Sequence, residues 1–115
     1  MVNNQNTVPP ERVEDELRQL IRTYQINKNT IFPLQAAFDF HLRFEQIHPF
    51  ENGNGRIGRL IMNKILLAAG FPPCIIFAEN RQAYFAAIAS TTSHNQKKYY
   101  QFMLEQYEKT LKRDI

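Results

Sequence analysis

His48-Pro49-Phe50-Glu51-Asn52-Gly53-Asn54-Gly55-Arg56-Ile57-Gly58-Arg59 runs between two apolar segments, and the reading of those segments decides the fold. Upstream, Leu34, Ala36, Ala37, Phe38, Phe40, Leu42, Phe44 and Ile47 are apolar on nearly every side of a helix running from Pro33 to about Ile47. Such a helix belongs in the middle of a bundle. Pro49 ends it, because the residue before a proline is pushed out of the α region. Downstream, Ile57, Leu60, Ile61, Met62, Ile65, Leu66 and Leu67 predict a helix from about Gly55 to Ala69. Gly70 is placed to end that helix, and Pro72-Pro73 prevents its continuation. The stretch between them is a glycine-rich loop at a helix N-terminus. Glycine lets backbone N–H groups approach a ligand closely, and the first helical turn adds unpaired donors and the positive end of the helix dipole. Arg56 and Arg59, three apart, can grip one polyphosphate together, and His48 adds an imidazole, the side-chain type most often used as a general base. An anion cradle beside a histidine points to chemistry rather than to binding alone.

Working outward, Pro9-Pro10 opens a first helix, with Val13, Leu17, Leu20, Ile21 and Tyr24 at helical spacing and acids early in it. Asn27 to Thr30 is a polar break. Cys74-Ile75-Ile76-Phe77 reads as an extended connector or a brief strand, and Asn80 is a candidate cap for a helix holding Tyr84, Phe85 and Ile88. A last helix, roughly Gln96 to Lys112, places Tyr99, Tyr100, Met103, Tyr107 and Leu111 on one face. Five helices with hardly any strand signal predict an all-α domain.

The chain has 115 residues and a formal charge of +3, with 43% hydrophobic and 22% charged residues. That is one domain of ordinary globular composition. The charge suits an anionic small ligand and is far from the basic stripe of a nucleic-acid binder. No apolar run approaches the length of a membrane span. The start of the chain is polar, without the basic and apolar regions of a signal peptide. With one cysteine, Cys74, and so no internal disulfide, the expected location is the cytoplasm, with secretion into another cell left open.

The stretch resembles the signature of the Fic family, His-Pro-Phe-x-(Asp/Glu)-Gly-Asn-Gly-Arg-x-x-Arg, and departs from it at Asn52. The resemblance extends to the apolar helix with His41 and Phe44, the leucine-rich helix that follows, Gly70-Phe71-Pro72-Pro73 and Arg81-x-x-Tyr84, roughly from Val8 to Tyr107. It implies a compact helical Fic-like bundle, with residues 1–7 as a disordered or partly ordered tail and 8–115 as the catalytic domain. It also implies AMPylation, the transfer of AMP from ATP to a Tyr, Thr or Ser hydroxyl of a target protein. By this resemblance His48 is the general base. Gly53, Asn54 and Gly55 form the nest around the α- and β-phosphates, Arg56 contacts the β-phosphate, Arg59 contacts the γ-phosphate, and Phe50 anchors the loop. The family usually holds Mg²⁺ with an acid where this chain has Asn52, whose neutral amide oxygen makes a weak ligand. Glu51 is an acid but stands one place earlier. The family's β-hairpin flap, which docks the target, has only about eight residues available before Pro9-Pro10 and is expected to be short or absent. Thr7 to Arg12 has the spacing of the family's autoinhibitory segment, but its prolines and Arg12 spoil the match. An antitoxin-like inhibitory chain or a second copy are therefore the partners left open, besides the target protein.

Other readings stand beside these. His41 and His48, two turns apart, suggest a metal pair, but no third ligand is evident. Cys74 reads as an inert buried thiol. Tyr100 and Tyr107 read as packing residues, with self-modification as the alternative. Three functions remain open: AMP transfer to a protein hydroxyl, transfer of another phosphate-containing group on the same fold, and a non-catalytic nucleotide-binding module, which Asn52 favours.

Overall fold

The computed structural model describes residues 8–49 and 53–113. A short 3₁₀ turn, Pro10–Arg12, leads into α1 (Val13–Asn27). It is followed by α2 (Pro33–Ile47), α3 (Asn54–Ala68), a 3₁₀ turn at Ala78–Asn80, α4 (Arg81–Ala89) and α5 (Lys97–Lys112). Among the described residues there is no strand, only an isolated bridge between Thr92 and Asn95. The fold is all-α, and the bounds of α2 are those the prolines predict.

Helix α2 is the axis of the structure. Its Ala37, Phe38 and Leu42 enter a core with Met62 and Leu66 of α3, Tyr84 and Ile88 of α4, and Tyr99, Met103 and Tyr107 of α5. Its Phe40, Phe44 and Ile47 enter an adjoining cluster with Leu20, Val13, Leu17 and Tyr24 of α1 and Ile57 and Ile61 of α3. Apart from a partly exposed polar stripe, Gln35, Asp39, Arg43 and Gln46, the helix is largely apolar, so neighbours must cover both of its flanks. Fully burying each large side chain contributes about 1.5–3 kcal/mol, and Phe38, Ile47, Met62, Leu66, Tyr99 and Met103 are all buried to that degree. The Tyr99 hydroxyl donates to the Phe38 carbonyl at 2.6 Å, tying α5 to the centre of α2.

Helix α3 ends as its glycine predicts. Gly70 has φ 86°, the Phe71 N–H reaches the Leu66 carbonyl at 2.9 Å, and the Gly70 N–H reaches that of Leu67 at 3.0 Å. These are the paired bonds of a Schellman cap, which needs a left-handed residue. Residues 74–77 form the connector rather than a strand. Side chains from two helices satisfy its backbone: the Cys74 N–H donates to Asn63 Oδ1 at 2.8 Å, Ile75 N–H to Thr110 Oγ1 and Phe77 N–H to Gln106 Oε1, both at 3.0 Å.

Four expectations need correction. Pro9-Pro10 does not open the first α-helix directly, because the Arg12 N–H bonds to the Pro9 carbonyl in 3₁₀ fashion and the α ladder begins at Val13. The third starts at Asn54, one residue early. Asn80 occupies the N-cap position of α4 without capping it, since its Oδ1 accepts from Gln106 Nε2 and Lys109 Nζ of α5. Ile21 and Leu111, expected on the buried faces of α1 and α5, are about half exposed (49% and 48%), at the edges of their apolar stripes. Cys74 is buried, with its thiol pushed up to about 12 by desolvation, in keeping with an inert thiol. The Tyr107 hydroxyl donates to the Pro72 carbonyl and that of Tyr100 to Asp39, so both serve internal bonds.

Candidate active site

The adjoining ends of α2 and α3 hold the predicted residues together. His48 is the C-cap of α2, with its N–H bonded to the Phe44 carbonyl at 3.0 Å. Its φ of 53° makes it the one described non-glycine residue in the left-handed region. Such a conformation costs a side-chain-bearing residue roughly 1–2 kcal/mol and is found where geometry outranks comfort. It turns the chain sharply out of α2 with the imidazole at the exit. His48 Nδ1 is buried and has no hydrogen-bond partner among the described residues.

Gly53 opens α3 from the N-cap with φ 81°. A Cβ there would meet nothing within 4 Å, so glycine is required for its conformation and not for space. The first helical bond runs from the Ile57 N–H to the Gly53 carbonyl at 3.0 Å, and no side chain caps the turn. The amides of Gly55 and Arg56 therefore precede the ladder and point out of the helix end, as an anion requires. Asn54 is buried in this turn. Arg56 is exposed and Arg59 half-buried. Arg59 folds back along its own helix, with Nη1 2.9 Å from where a Cβ on Gly55 would stand. The guanidinium thus lies over the cradle. Phe50, Glu51 and Asn52 lie outside the described residues, and so do residues 1–7.

Beneath the cradle lies a polar cluster that sequence reasoning did not assemble. His41 and Glu45, one turn apart on α2, are buried, and His41 Nε2 sits 2.5 Å from the Tyr84 hydroxyl. Burial pushes the His41 pKa down to about 4 and the Glu45 carboxyl up to about 7. The Arg59 charge also acts on both groups and on the Tyr84 hydroxyl. His41 is engaged by Tyr84, and among the described residues no group of three His, Cys, Asp or Glu side chains could hold a metal, so the paired-histidine metal site finds no support. Glu45, an acid four residues after His41 and so on the same helical face, was the available signal for this cluster.

Gly58 marks where α3 crosses α2. A Cβ there would overlap Glu45 Oε2 and press on Phe44 Cδ1 at 3.1 Å and His41 Nδ1 at 3.3 Å. Gly58→Ala gains about 1 kcal/mol of helix propensity but overpacks a buried contact, at a cost of about 1–3 kcal/mol. The Phe44 ring cannot swing away, so the loss should win, leaving the variant about 1 kcal/mol less stable in urea unfolding. A variant more stable than wild type would mean that the two helices are not in close contact there.

Comparison with known proteins agrees with this geometry. The sequence matches the profile described as the Fic/DOC family over residues 3–66. Protein adenylyltransferase fic-1 of Caenorhabditis elegans is 30% identical over 109 residues, covering 94% of this chain and 22% of that protein. Protein adenylyltransferase Fic of Drosophila melanogaster is 35% identical over 85 residues, covering 74% of this chain and 17% of that protein. This chain spans about a fifth of the length of these relatives. Among solved structures, Fic-1 of C. elegans superposes with a TM-score of 0.82 at 30% identity, over 92% of this chain and 32% of that one. A Fic-domain-containing signalling protein of Bacteroides thetaiotaomicron gives 0.80 at 26% identity, over 91% of this chain and 45% of that one.

Proposed function

This chain belongs to the Fic/DOC family, and we propose that residues 8–115 form the catalytic domain of a protein adenylyltransferase moving AMP from ATP to a hydroxyl side chain of a target protein. The observation that carries this reading is the uncapped first turn of α3, with the Arg59 guanidinium folded back to Gly55, a few residues after His48 closes α2. The named activity of relatives at 30–36% identity supports it.

In this reading the Gly55 and Arg56 amides and the Arg56 and Arg59 guanidinium groups hold the triphosphate. Asn54 and Gly53 shape the nest. His48 takes the proton from the attacking hydroxyl. The hydroxyl oxygen bonds to the α-phosphorus, the bond from that phosphorus to the bridging oxygen breaks, and pyrophosphate leaves. Positioning and charge stabilisation supply most of the catalysis in such transfers. The test uses ATP labelled on the α-phosphate or on the γ-phosphate, with a cell lysate as target. Protein-bound label from the first and not the second is the expected result. Label from the γ-phosphate alone would indicate a different group transfer.

Asn52 favours a second reading, a nucleotide-binding module without turnover. A neutral amide is a poorer Mg²⁺ ligand than the carboxylate the family usually has there, so a Mg²⁺ held with the triphosphate would be bound weakly. Asn52→Asp is expected to raise transfer at low Mg²⁺, with the gain shrinking as Mg²⁺ rises, since mass action fills a weak site. Superimposable Mg²⁺ titrations of the two proteins would remove position 52 from any metal role.

A further inference from the structure

We propose that Glu45 is a positioning residue for the transfer: its carboxyl, wedged with His41 against Gly58, fixes where the phosphate-binding turn of α3 stands relative to the end of α2 that carries His48. The proposal rests on the AMP-transfer reading of the site. The two helices that supply the site touch at Gly58. The three atoms nearest to the place of its missing side chain all come from α2, from Glu45, Phe44 and His41. The Phe44 carbonyl also accepts the His48 N–H at 3.0 Å, so the turn of α2 that bears on α3 is the turn that ends at the imidazole. On α3, Gly58 stands next to Arg59 and one turn after Asn54, the first residue of the helix. A Cβ on Gly58 would overlap Glu45 Oε2, so the carboxyl already fills the space a side chain there would take. It has nowhere else to go. Glu45 is 1% exposed and His41 0%. His41 is held from its far side, with Nε2 2.5 Å from the Tyr84 hydroxyl and its ring stacked on that of Tyr84 at 5.8 Å. Glu45 is thus confined between an anchored imidazole and the α3 backbone. Stability does not explain an acid at this crossing. Glu45 Oε2 and His41 Nδ1 are buried without hydrogen-bond partners among the described residues, which opposes folding. An apolar side chain of the same length would remove that cost. A carboxyl oxygen is smaller than a methyl group, however, and lets α3 approach more closely than leucine would. A close and rigid crossing suits an in-line transfer, in which a misplacement of about 1 Å can slow the reaction by about 10²-fold.

The measurement is the rate of AMP transfer from α-labelled ATP to lysate protein, at saturating ATP, together with the KM for ATP. Rates are expressed per ATP-binding site counted by calorimetry, so that unfolded protein does not enter. Glu45→Gln keeps the planar tip and should transfer within about twofold of wild type, whereas Glu45→Leu should be slower by about tenfold or more. Gly58→Ala should lose a similar factor, because its methyl group and the carboxyl claim the same space. In Gly58→Ala/Glu45→Ala the methyl group takes the space the carboxyl has left, and the rate should return to within about threefold of wild type. The KM for ATP should stay near wild type throughout, because the proposed phosphate donors all ride on α3. Because the Gly58 variants read the same contact from the other helix, the outcome does not depend on Glu45→Leu folding. A wild-type rate in Glu45→Leu, a double variant no faster than Gly58→Ala, or a loss carried by KM overturns the positioning role and leaves the transfer reading in place. A wild-type protein that binds ATP and transfers no label overturns the transfer reading and the positioning role with it.

Discussion

Replacing His48 with alanine is expected to slow AMP transfer by roughly 10²–10⁴-fold, the usual worth of a general base, while ATP binding stays close to wild type. The two effects separate because, in the proposed site, the phosphate donors come from α3 and the imidazole from the end of α2. His48 also holds a left-handed conformation, φ 53°, so the alanine variant keeps the backbone strain and loses the base. His48→Gly removes the base and relieves the strain, and should be the more stable of the two by about 1 kcal/mol. Equal loss of transfer in both variants, with the glycine variant melting higher, assigns the loss to the missing imidazole. Transfer at the wild-type rate in either variant would falsify the role. Transfer recovered in His48→Gly alone would assign the effect to backbone geometry.

What could be read in the sequence follows the range of the interactions. Pro33, Pro49 and Gly70 act within a few residues of themselves, so the bounds of α2 and the end of α3 were legible. Gly53 to Arg59 form a contiguous run, and the left-handed Gly53 at an uncapped helix start is what local glycine conformation predicts. Asn80 misled because its amide found partners on α5, some 26 residues away, in place of its own helix end. Tyr84 lies 43 residues from His41, and only the packing of α4 against α2 brings the two together. Gly58 was a variable position in the signature. Its need for a small residue comes from how closely two helices cross, which spacing along one helix does not encode. Phe50 and Asn52 lie outside the described residues, so their roles rest on the signature alone.

Glu45→Gln is expected to make the protein more stable at neutral pH, by an amount that grows with pH. Desolvation raises the Glu45 carboxyl from 4.5 to about 7 in the folded protein. Between those values the folded state holds a proton that the unfolded state has released, so stability falls as pH rises. Asp39, raised from 3.8 to about 6 by burial, acts in the same direction. His41 acts in the opposite one: its pKa falls from 6.5 to about 4, so charging it on unfolding destabilises the fold at low pH. From about pH 4.5 to 6 the Asp39 and His41 contributions roughly cancel, which leaves Glu45 to set the slope, at about 1.4 kcal/mol per pH unit. Arg59 is the cation facing Glu45, and its attraction offsets only part of the desolvation. Glutamine keeps the size and one acceptor but cannot ionise, so the variant should show a nearly flat profile over that range. The difference between the two proteins should rise from near zero at pH 4.5 to about 3 kcal/mol at pH 8. Urea unfolding at several pH values between 4.5 and 8 measures it. Parallel curves would mean that Glu45 ionises in the folded protein as it does in water, through solvent reaching the carboxyl. A difference that shrinks with pH would mean that the ionised carboxylate is better paired with Arg59 than buried against Gly58.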